Sequence, residues 1–466
     1  MRRLFLILLF IPNLSLGQFT NLDFESWDTQ SKSFSQWFGT EGAIIQRDTN
    51  AFEGEQALRL ECDSNSSATY FLQVQKLEVG VPRRMTFSGI VNTQNLDGQA
   101  GIYVTVRGPN GRTYYSQDLS ETGEHWIKSE IEIVVDDQSD QIYIGGIVTG
   151  EGYAAFDLFE LKEKALTDSV DSEATQYIDE IGALIRENSL VAGEVDLDRL
   201  ISLGKRLVSA DTTLEASRPV VEFMVNKLRD GHSRFMAPQV YRKWQSAGTS
   251  ITWSKGEMMD NLAYLEIPGF RSGNARQITA FADHLRKLIE KLALNNPAGW
   301  IIDLRKNTGG NAYAMLSGLS PFYPSDTLAS MAYRDQTRKP ILLKKKGVWF
   351  DGTRHAKVRK TKLELHQPRV AVLVGPETAS AGELVTISLK SLADVVVIGQ
   401  PTAGISSNNE LFELSDDGAL FLTTSNYADI HEEVYTDGLE PDVSIEELEG
   451  TDLVLEAAKQ WILEKD

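Results

Sequence analysis

Cysteine is almost absent from this chain of 466 residues, because Cys62 is the only one. A single cysteine cannot form an intramolecular disulfide, and it excludes zinc sites and iron–sulfur clusters that are built from several cysteines. The stability of the fold must therefore come from packed hydrophobic cores.

Basic residues and long apolar runs are also scarce. The chain has 46 Lys and Arg against 66 Asp and Glu, a formal net charge of −20. Such an acidic chain repels phosphate backbones, so nucleic acid is not an expected partner. No segment after the first residues is long and apolar enough to span a membrane. A hydrophobic content of 42% then indicates a globular protein, and its length indicates roughly two to four domains.

Residues 1–17 have the pattern of a signal peptide. Arg2 and Arg3 precede a short apolar run, Pro12 interrupts it, and a zone of small residues ends at Gly17. The run is shorter than the roughly 20 residues of a transmembrane helix, and no cysteine follows it as a lipid attachment site. We therefore predict export to the periplasm, the cell surface or the exterior, without an integral membrane span.

The remaining chain divides into three regions by the period of its apolar residues. Residues 18–163 alternate apolar and polar positions in short runs, which predicts an antiparallel β-sandwich. Residues 164–245 change to helical spacing and predict a small helical unit. Residues 246–466 alternate apolar strands with helices, which predicts an α/β domain with a largely parallel sheet. The predicted fold is thus multidomain.

The first of these regions resembles the jelly-roll carbohydrate-binding modules. The resemblance rests on four segments: Asn21–Glu25, Gly54–Leu58, Gly123–Trp126 and Ala155–Phe159. It implies a glycan partner, with Trp27, Trp37 and Trp126 either stacked on sugar rings or buried in the core. It also implies a structural calcium ion at Asp23, Glu25 and Asp157, although these acids at strand ends could equally face solvent.

Two segments after predicted buried strands have residues suited to chemistry. Lys306–Asn311 contains a glycine pair whose amides can bind an anion. Gly375–Glu383 places Ser380 at a helix N-terminus, where its hydroxyl is either an N-cap or a nucleophile. A serine nucleophile needs a base, and the chain has six histidines. His232, where a helix stops, is the leading candidate, and His431 is a weaker one.

Six segments in order resemble the C-terminal processing (tail-specific) peptidase family: Asp230–Ser233, Leu262–Leu265, Asp303–Gly310, Glu377–Glu383, Gly399–Gly404 and Gly438–Asp442. The resemblance implies a catalytic α/β domain of the tail-specific protease type. It also implies that Ser380 is the nucleophile and that the oxyanion is bound by the amide of Ala381 together with that of Gly309 or Gly310.

One departure from the family pattern concerns the base. Ile405 stands where members with a Ser-Lys dyad carry lysine. The branch that includes the tricorn core takes a histidine from the preceding helical region, which His232 matches. That branch orients the histidine with an acid shortly before the Gly438–Asp442 segment. Tyr435 stands at the expected position, with Glu433 and Asp437 nearby, so the possible orienting residues are Ser233, Glu433, Tyr435 and Asp437. No clear PDZ-like insert lies between Phe235 and Leu262.

These observations predict an exported serine peptidase that hydrolyses peptides or proteins without a catalytic cofactor, with the sandwich binding a glycan or positioning the enzyme. The alternative is a non-catalytic ligand- or glycan-binding protein on the same scaffold.

Overall fold

The computed structural model describes residues 19–464 except 41, 63–67, 110, 124, 167–171, 247–250, 345–346, 358–362 and 447–449. The described chain divides into two compact units. Residues 19–183 and 195–227 form the sandwich unit, and residues 184–194 and 228–464 form the α/β unit.

Eleven strands build the described part of the sandwich unit, and every strand pair in it is antiparallel. Their bounds are β1 Trp27–Asp28, β2 Ser33–Phe34, β3 Phe38–Gly39, β4 Ile44–Asp48, β5 Ala57–Cys62, β6 Thr69–Lys76, β7 Arg83–Asn92, β8 Leu96–Gly108, β9 Gly111–Glu121, β10 Ile127–Val135 and β11 Gln141–Lys164.

The long strand β11 links the two layers of this sandwich. Its first part pairs with β6 and β8, and its last part pairs with β5 and β7. Gly146, for example, lies opposite Ile102 and Phe71, whereas Phe156 lies opposite Leu58 and Val91. The predicted antiparallel sandwich is confirmed.

Aromatic side chains fill the space between the layers. Trp37 is 4% exposed, its ring centroid is 5.1 Å from that of Phe24 and 5.2 Å from that of Phe71, and its Nε1 donates to the carbonyl of Asn21 at 2.8 Å. Trp37 is therefore a core residue and has no free face for a sugar. Trp126 is partly exposed, with its ring centroid 6.1 Å from that of Phe52.

Three helices follow the sandwich strands: α1 Glu173–Asn188, α2 Leu197–Leu207 and α3 Leu214–Asn226. Arg84 of β7 is fully buried and ties α2 and α3 to the sheet. Its guanidinium donates to the Asp211 carboxylate at 3.1 Å, to the carbonyl of Leu207 at 3.4 Å and to that of Ala216 at 3.0 Å. The helices of predicted region 164–245 are divided between the two units, and its status as a separate domain stays a prediction.

The three acids of the predicted calcium site contact backbone amides. The Asp157 carboxylate accepts from the amides of Phe52 at 2.9 Å and Leu158 at 2.8 Å, and Glu25 Oε1 accepts from that of Glu55 at 2.9 Å. Among the described residues, no three His, Cys, Asp or Glu side chains are grouped to hold a metal ion. Calcium at Asp23, Glu25 and Asp157 stays a prediction.

The helices and strands of the α/β unit listed next all follow α3 along the chain. Its elements are β12 Arg234–Met236, α4 Pro238–Ser246, β13 Lys255–Met259, β14 Leu262–Glu266, α5 Ala275–Ala293, β15 Gly299–Asp303, α6 Ala312–Gly318, β16 Thr327–Tyr333, β17 Arg338–Lys344, β18 Gly347–Phe350, β19 Thr353–Lys357, β20 Val370–Val374, α7 Ala381–Leu389, β21 Val395–Gly399, β22 Ser407–Glu413, β23 Ala419–Ala428, β24 Val434–Tyr435, β25 Val443–Ser444 and α8 Leu453–Leu463. A 3₁₀ turn spans Ser320–Phe322.

A six-stranded sheet in the order β13-β14-β15-β20-β21-β25 forms the predicted parallel core, with only β13 antiparallel. Ile302 and Val372 pack in the same cluster as residues of α5 and α7, whereas Ile301 and Leu373 pack in the same cluster as residues of α8. Helices therefore cover both faces, which explains why β20 is apolar throughout and β15 is apolar up to Asp303 at its end.

A second sheet of eight strands contains β12, β16 to β19 and β22 to β24, and all its pairs are antiparallel. The alternation of strands and helices did not predict it. His355 lies on β19 of this sheet and stacks on Tyr313, with ring centroids 4.3 Å apart.

The predicted fold classes are confirmed for both ends of the chain. The predicted boundaries at 163 and 245 stay predictions, and the predicted signal peptide, residues 1–17, lies outside the described residues. In the part of the chain that the structure describes, no helix is long and apolar enough to cross a membrane.

Candidate active site

Ser380 lies in a sharp turn between β20 and α7. Its backbone has φ 51° and ψ −112°, outside the β region that N-cap residues usually occupy. A non-glycine residue in this left-handed region stores strain of roughly 1–3 kcal/mol, and such residues cluster at functional sites. The turn is held by Thr378, whose buried hydroxyl donates to the carbonyl of Leu304 at 2.8 Å and accepts from the amide of Gly375 at 3.0 Å.

The glycine pair follows β15 and reaches the serine turn. A Cβ built on Gly309 would lie 2.9 Å from the carbonyl oxygen of Ala379 and 3.0 Å from Cβ of Ser380. Gly309 has φ 93° and Gly310 has φ 115°, both conformations that favour glycine. Only glycine therefore allows this loop to approach the serine so closely.

The amides of the two glycines have different partners. The Gly309 amide donates to Asn307 Oδ1 at 3.0 Å. Gly310 forms a parallel bridge with Phe270, in which the Phe270 amide donates to the Gly309 carbonyl and the Asn311 amide donates to the Phe270 carbonyl. Because a bridge of this type uses the neighbours' groups, the Gly310 amide points away from Phe270. Gly310 is thus the better donor to a ligand.

Asn307 is the residue that fixes these segments together. It is fully buried, its Nδ2 donates to the Ile267 carbonyl at 3.0 Å, and its own carbonyl accepts from the Ala379 amide at 3.0 Å. Together with the hydrogen bond from the Gly309 amide, these contacts of Asn307 connect the segment after β14, the glycine loop and the serine turn. The sequence motif contained Asn307, but its role was not predicted.

His232 lies in a loop between α3 and β12 that Asp230 organises. The Asp230 carboxylate accepts from the amides of His232 at 3.0 Å and Ser233 at 2.7 Å, and from the Ser233 hydroxyl at 2.5 Å. The His232 carbonyl accepts from Asn409 Nδ2 at 2.8 Å. The hydrogen bonds to Asp230 and the contact with Asn409 of β22 therefore fix the loop.

The imidazole of His232 has a hydroxyl partner. Its Nδ1 is 2.9 Å from Oγ of Ser407, a buried residue at the start of β22. Burial lowers the pKa of His232 to about 4; the negative charge of Asp230 opposes this shift, and the positive charge of Arg234 adds to it. The ring is consequently neutral at pH 7, as a general base must be.

The partners of the histidine and of the serine lie on adjacent strands. Burial raises the pKa of the Tyr427 phenol on β23, and the Ser380 side chain opposes this shift. Ser407 of β22 pairs with Asn426, the residue before Tyr427, and the Tyr427 amide donates to the Ser406 carbonyl at 2.9 Å. The β22–β23 pair thus connects the two predicted catalytic side chains. Neither Ser407 nor Tyr427 was predicted from the sequence.

Glu383 connects the serine turn to Ile405, the residue that stands where family members with a Ser-Lys dyad carry lysine. Its buried carboxylate accepts from the Ser380 amide at 3.1 Å, from the Thr402 hydroxyl at 2.5 Å and from the amides of Gly404 at 3.1 Å and Ile405 at 3.1 Å. Burial raises the pKa of Glu383, and these hydrogen bonds oppose the shift. Glu383 therefore has a positioning role in this geometry.

The four residues suggested for orienting the histidine lie elsewhere. Ser233 binds Asp230, the Glu433 amide donates to Asp429, Tyr435 pairs with Tyr427, and the Asp437 carboxylate accepts from Thr436. In the described contacts none of them bonds the imidazole. The weaker base candidate, His431, lies in the same turn as Glu433, where its amide donates to Asp429 at 2.8 Å.

The model of peptidase family S41 matches residues 261–445. Over these residues the chain is similar to peptidase family S41. The S41 region contains Ser380, the glycine pair, Ser407 and Tyr427, whereas His232 precedes it. The resemblance to the tail-specific peptidases is thereby confirmed.

Two relatives are similar to this chain in sequence, and one solved structure is similar to it in fold. The nisin-resistance protein of Lactococcus lactis subsp. lactis is 31% identical over 45% of this chain and 62% of its own length. The carboxy-terminal processing protease CtpA of Bacillus subtilis is 26% identical over 41% of this chain and 36% of its own. The chain thus spans less than two thirds of either relative. A lipoprotein structure from Streptococcus agalactiae has the same fold over 63% of this chain and 97% of its own, with a TM-score of 0.53 and 23% identity.

Proposed function

We propose that this protein is a serine peptidase in which Ser380 attacks the carbonyl of a peptide bond and His232 accepts the serine proton. The observation that carries the proposal is the turn at Ser380, which is strained, begins a helix, and lies against the glycine loop. A strained turn at a strand-to-helix junction exposes a nucleophile in the same way in other hydrolases.

The proton path follows from the tautomer of His232. When Nδ1–H donates to Ser407 Oγ, the lone pair is on Nε2, and that nitrogen takes the proton of Ser380 as Oγ bonds to the substrate carbon. The imidazolium then returns the proton to the leaving amine, and water repeats the cycle on the acyl-enzyme.

The oxyanion of the tetrahedral intermediate needs two donors. We assign these to the Gly310 amide, which its bridge leaves pointing away from Phe270, and to the Ala381 amide at the first turn of α7. Donors of this kind each lower the barrier by roughly 2.7–4 kcal/mol. The N-terminal end of the helix dipole adds to this stabilisation.

The proposal is tested by labelling with a fluorophosphonate probe and by cleavage of an unstructured protein such as casein. We expect wild type to label and to cleave, Ser380→Ala to do neither, and His232→Ala to do both far more slowly. Ser391→Ala is the matched control, because Ser391 lies beyond the other end of α7 and its hydroxyl donates to the Ser388 carbonyl.

If folded wild type neither labels nor cleaves, the peptidase proposal fails and the non-catalytic binding protein takes its place. Export rests on the pattern of residues 1–17 and stays a prediction, as does a glycan partner of the sandwich unit.

A further inference from the structure

Beside the histidine loop, strand β23 has a gap in its pairing. β22 runs along one edge of β23, and the other edge is shared by β12 over Ala419–Phe421 and by β16 over Ser425–Ala428. Thr423 lies between these two stretches and is buried. Buried backbone amides and carbonyls need hydrogen-bond partners. The backbone of Thr423 must therefore find them outside the two strands.

The partners come from the histidine loop and from an early segment of the chain. The Thr423 amide donates to the Ser233 hydroxyl at 2.9 Å, and that hydroxyl donates to the Asp230 carboxylate at 2.5 Å. The Thr423 carbonyl accepts from the Leu190 amide at 2.8 Å. Leu190 belongs to residues 184–194, which are part of the α/β unit although they precede α2 in the chain. This early segment thus completes the edge of β23 next to the histidine loop.

Arg334 fixes the early segment against the end of β16. It directly follows β16, and its guanidinium donates to the carbonyls of Ser189 at 2.9 Å and Arg186 at 3.1 Å. Both carbonyls lie at the end of α1, where a helix leaves acceptors without partners of its own. Arg334 therefore holds the residue next to Leu190.

The Thr423 side chain reaches the histidine loop by a second route. Its hydroxyl donates to Asn409 Oδ1 at 3.0 Å, and Asn409 Nδ2 donates to the His232 carbonyl at 2.8 Å. The two hydrogen bonds fix opposite ends of one carboxamide. Thr423 thus restrains the loop at His232 through its hydroxyl and at Ser233 through its amide.

Resting on the proposed peptidase function, we infer that Thr423 is a positioning residue for His232, and that Leu190 acts through it. Ser407 holds the imidazole at Nδ1, whereas Thr423 holds the backbone from which the ring extends. A misplacement of about 1 Å in a catalytic group can cost about 100-fold in rate. The S41 match begins at residue 261, so His232 and its support from Leu190 both come from outside the matched region.

The hydroxyl is tested by Thr423→Val, which keeps the shape of the side chain, and by Thr423→Ser, which keeps the hydroxyl. For a quenched fluorescent peptide we expect kcat to fall roughly 10- to 100-fold in Thr423→Val, with KM unchanged within about twofold. Fluorophosphonate labelling of Ser380 should slow in parallel, because it needs the same base. Thr423→Ser should keep most of the wild-type kcat.

Thr424→Val is the matched control for the loss of a buried hydroxyl. Thr424 is the next residue, is buried, and donates its hydroxyl to Glu410 Oε1 at 3.0 Å. We expect this variant to lower the midpoint of thermal unfolding about as much as Thr423→Val does and to keep the wild-type kcat.

The contribution of Leu190 is tested by removing its amide. Leu190→Pro has no N–H to donate to the Thr423 carbonyl, and we expect its kcat to fall roughly 2- to 13-fold with KM unchanged. Leu190→Ala is the control, since it shortens the side chain and keeps the amide, and it should keep the wild-type kcat. A folded Leu190→Pro with the wild-type kcat overturns the part assigned to Leu190.

The position of the ring is also measured without turnover, in a Ser380→Ala background. Histidine labelled with ¹³C at Cε1 reports the rings by NMR, and His232→Gln identifies the signal of interest. We expect this signal to titrate near pH 4 when Thr423 is present. In Thr423→Val it should titrate nearer to the ordinary histidine pKa of about 6.5, because a ring that leaves its buried position loses the desolvation that lowers its pKa. Asp230 and Arg234, the charged groups that act on the ring, are the same in both proteins.

An unchanged kcat in folded Thr423→Val overturns the proposal, and so does a loss of kcat that Thr424→Val shares or that Thr423→Ser does not avoid. Failure of the peptidase proposal is seen separately, as absence of labelling and of cleavage by wild type. In that case the titration decides, and a His232 signal that titrates equally with and without the Thr423 hydroxyl overturns the positioning role.

Discussion

The hydrogen bond between His232 and Ser407 allows a direct test of whether His232 is the proton acceptor of this site. In Ser407→Asp a carboxylate replaces the hydroxyl that lies 2.9 Å from Nδ1. A negative charge at this range favours imidazolium and raises a histidine pKa by roughly 1–3 units. The pKa of His232, about 4 in wild type, should therefore rise to roughly 5–7.

The sign of the effect on activity follows from the role of the ring. The base must be neutral to accept the proton, so kcat/KM falls as the pH drops through the His232 pKa. Wild type should keep its activity down to about pH 4, and Ser407→Asp should lose it at a pH higher by roughly 1–3 units. Above both pKa values the variant should be the faster enzyme, because the carboxylate stabilises the imidazolium formed during attack.

Ser407→Ala tests the same bond from the opposite side. Losing one neutral hydrogen bond of about 0.5–1.5 kcal/mol should lower kcat roughly 2- to 13-fold at neutral pH. Ser406→Ala is the matched control, because Ser406 is the adjacent residue, is buried, and has no hydrogen-bond partner for its hydroxyl in the described structure. The measurement is the pH profile of kcat/KM. An acid limb that stays in place in Ser407→Asp refutes the assignment of His232 as the base oriented by Ser407.

Three further predictions concern neighbouring features. Gly310→Ala places a Cβ 2.1 Å from the Phe270 carbonyl oxygen at φ 115°; we expect cleavage to be lost and the midpoint of thermal unfolding to fall, and an unchanged midpoint contradicts the strain. Tyr427→Phe removes the phenol hydroxyl whose pKa the Ser380 side chain lowers, and if that hydroxyl bonds the nucleophile the change should slow fluorophosphonate labelling by roughly 2- to 13-fold; unchanged labelling shows that the hydroxyl is not used. Arg84→Met leaves Asp211 paired with Lys164 and leaves the carbonyls of Leu207 and Ala216 without this donor, so it should cost about 1–3 kcal/mol in the sandwich unit, measured by denaturant unfolding of the full chain. A cost below 1 kcal/mol would contradict it.

The parts of the fold that the sequence predicts well are those buried on both faces. Val370–Val374 and Gly299–Asp303 are buried at every position, so the apolar runs Val370–Val374 and Gly299–Ile302 indicate strands of a parallel sheet without any tertiary information. The eight-stranded sheet was not predicted because apolar, polar and charged residues are mixed along its strands. Arg338–Lys344, for example, has basic residues at both ends and only one fully buried position, and its strand character depends on pairing with β16 and β18.

The candidate site likewise contains residues that the sequence predicts and residues that it does not. Ser380, His232 and the glycines lie in short motifs that can be recognised in the chain. Ser407 and Tyr427 lie in no motif, and their relevance comes from the register of β22 against β23. Register depends on turns and on the burial of whole faces, so a search for an orienting acid near Tyr435 could not find Ser407, which lies 28 residues earlier.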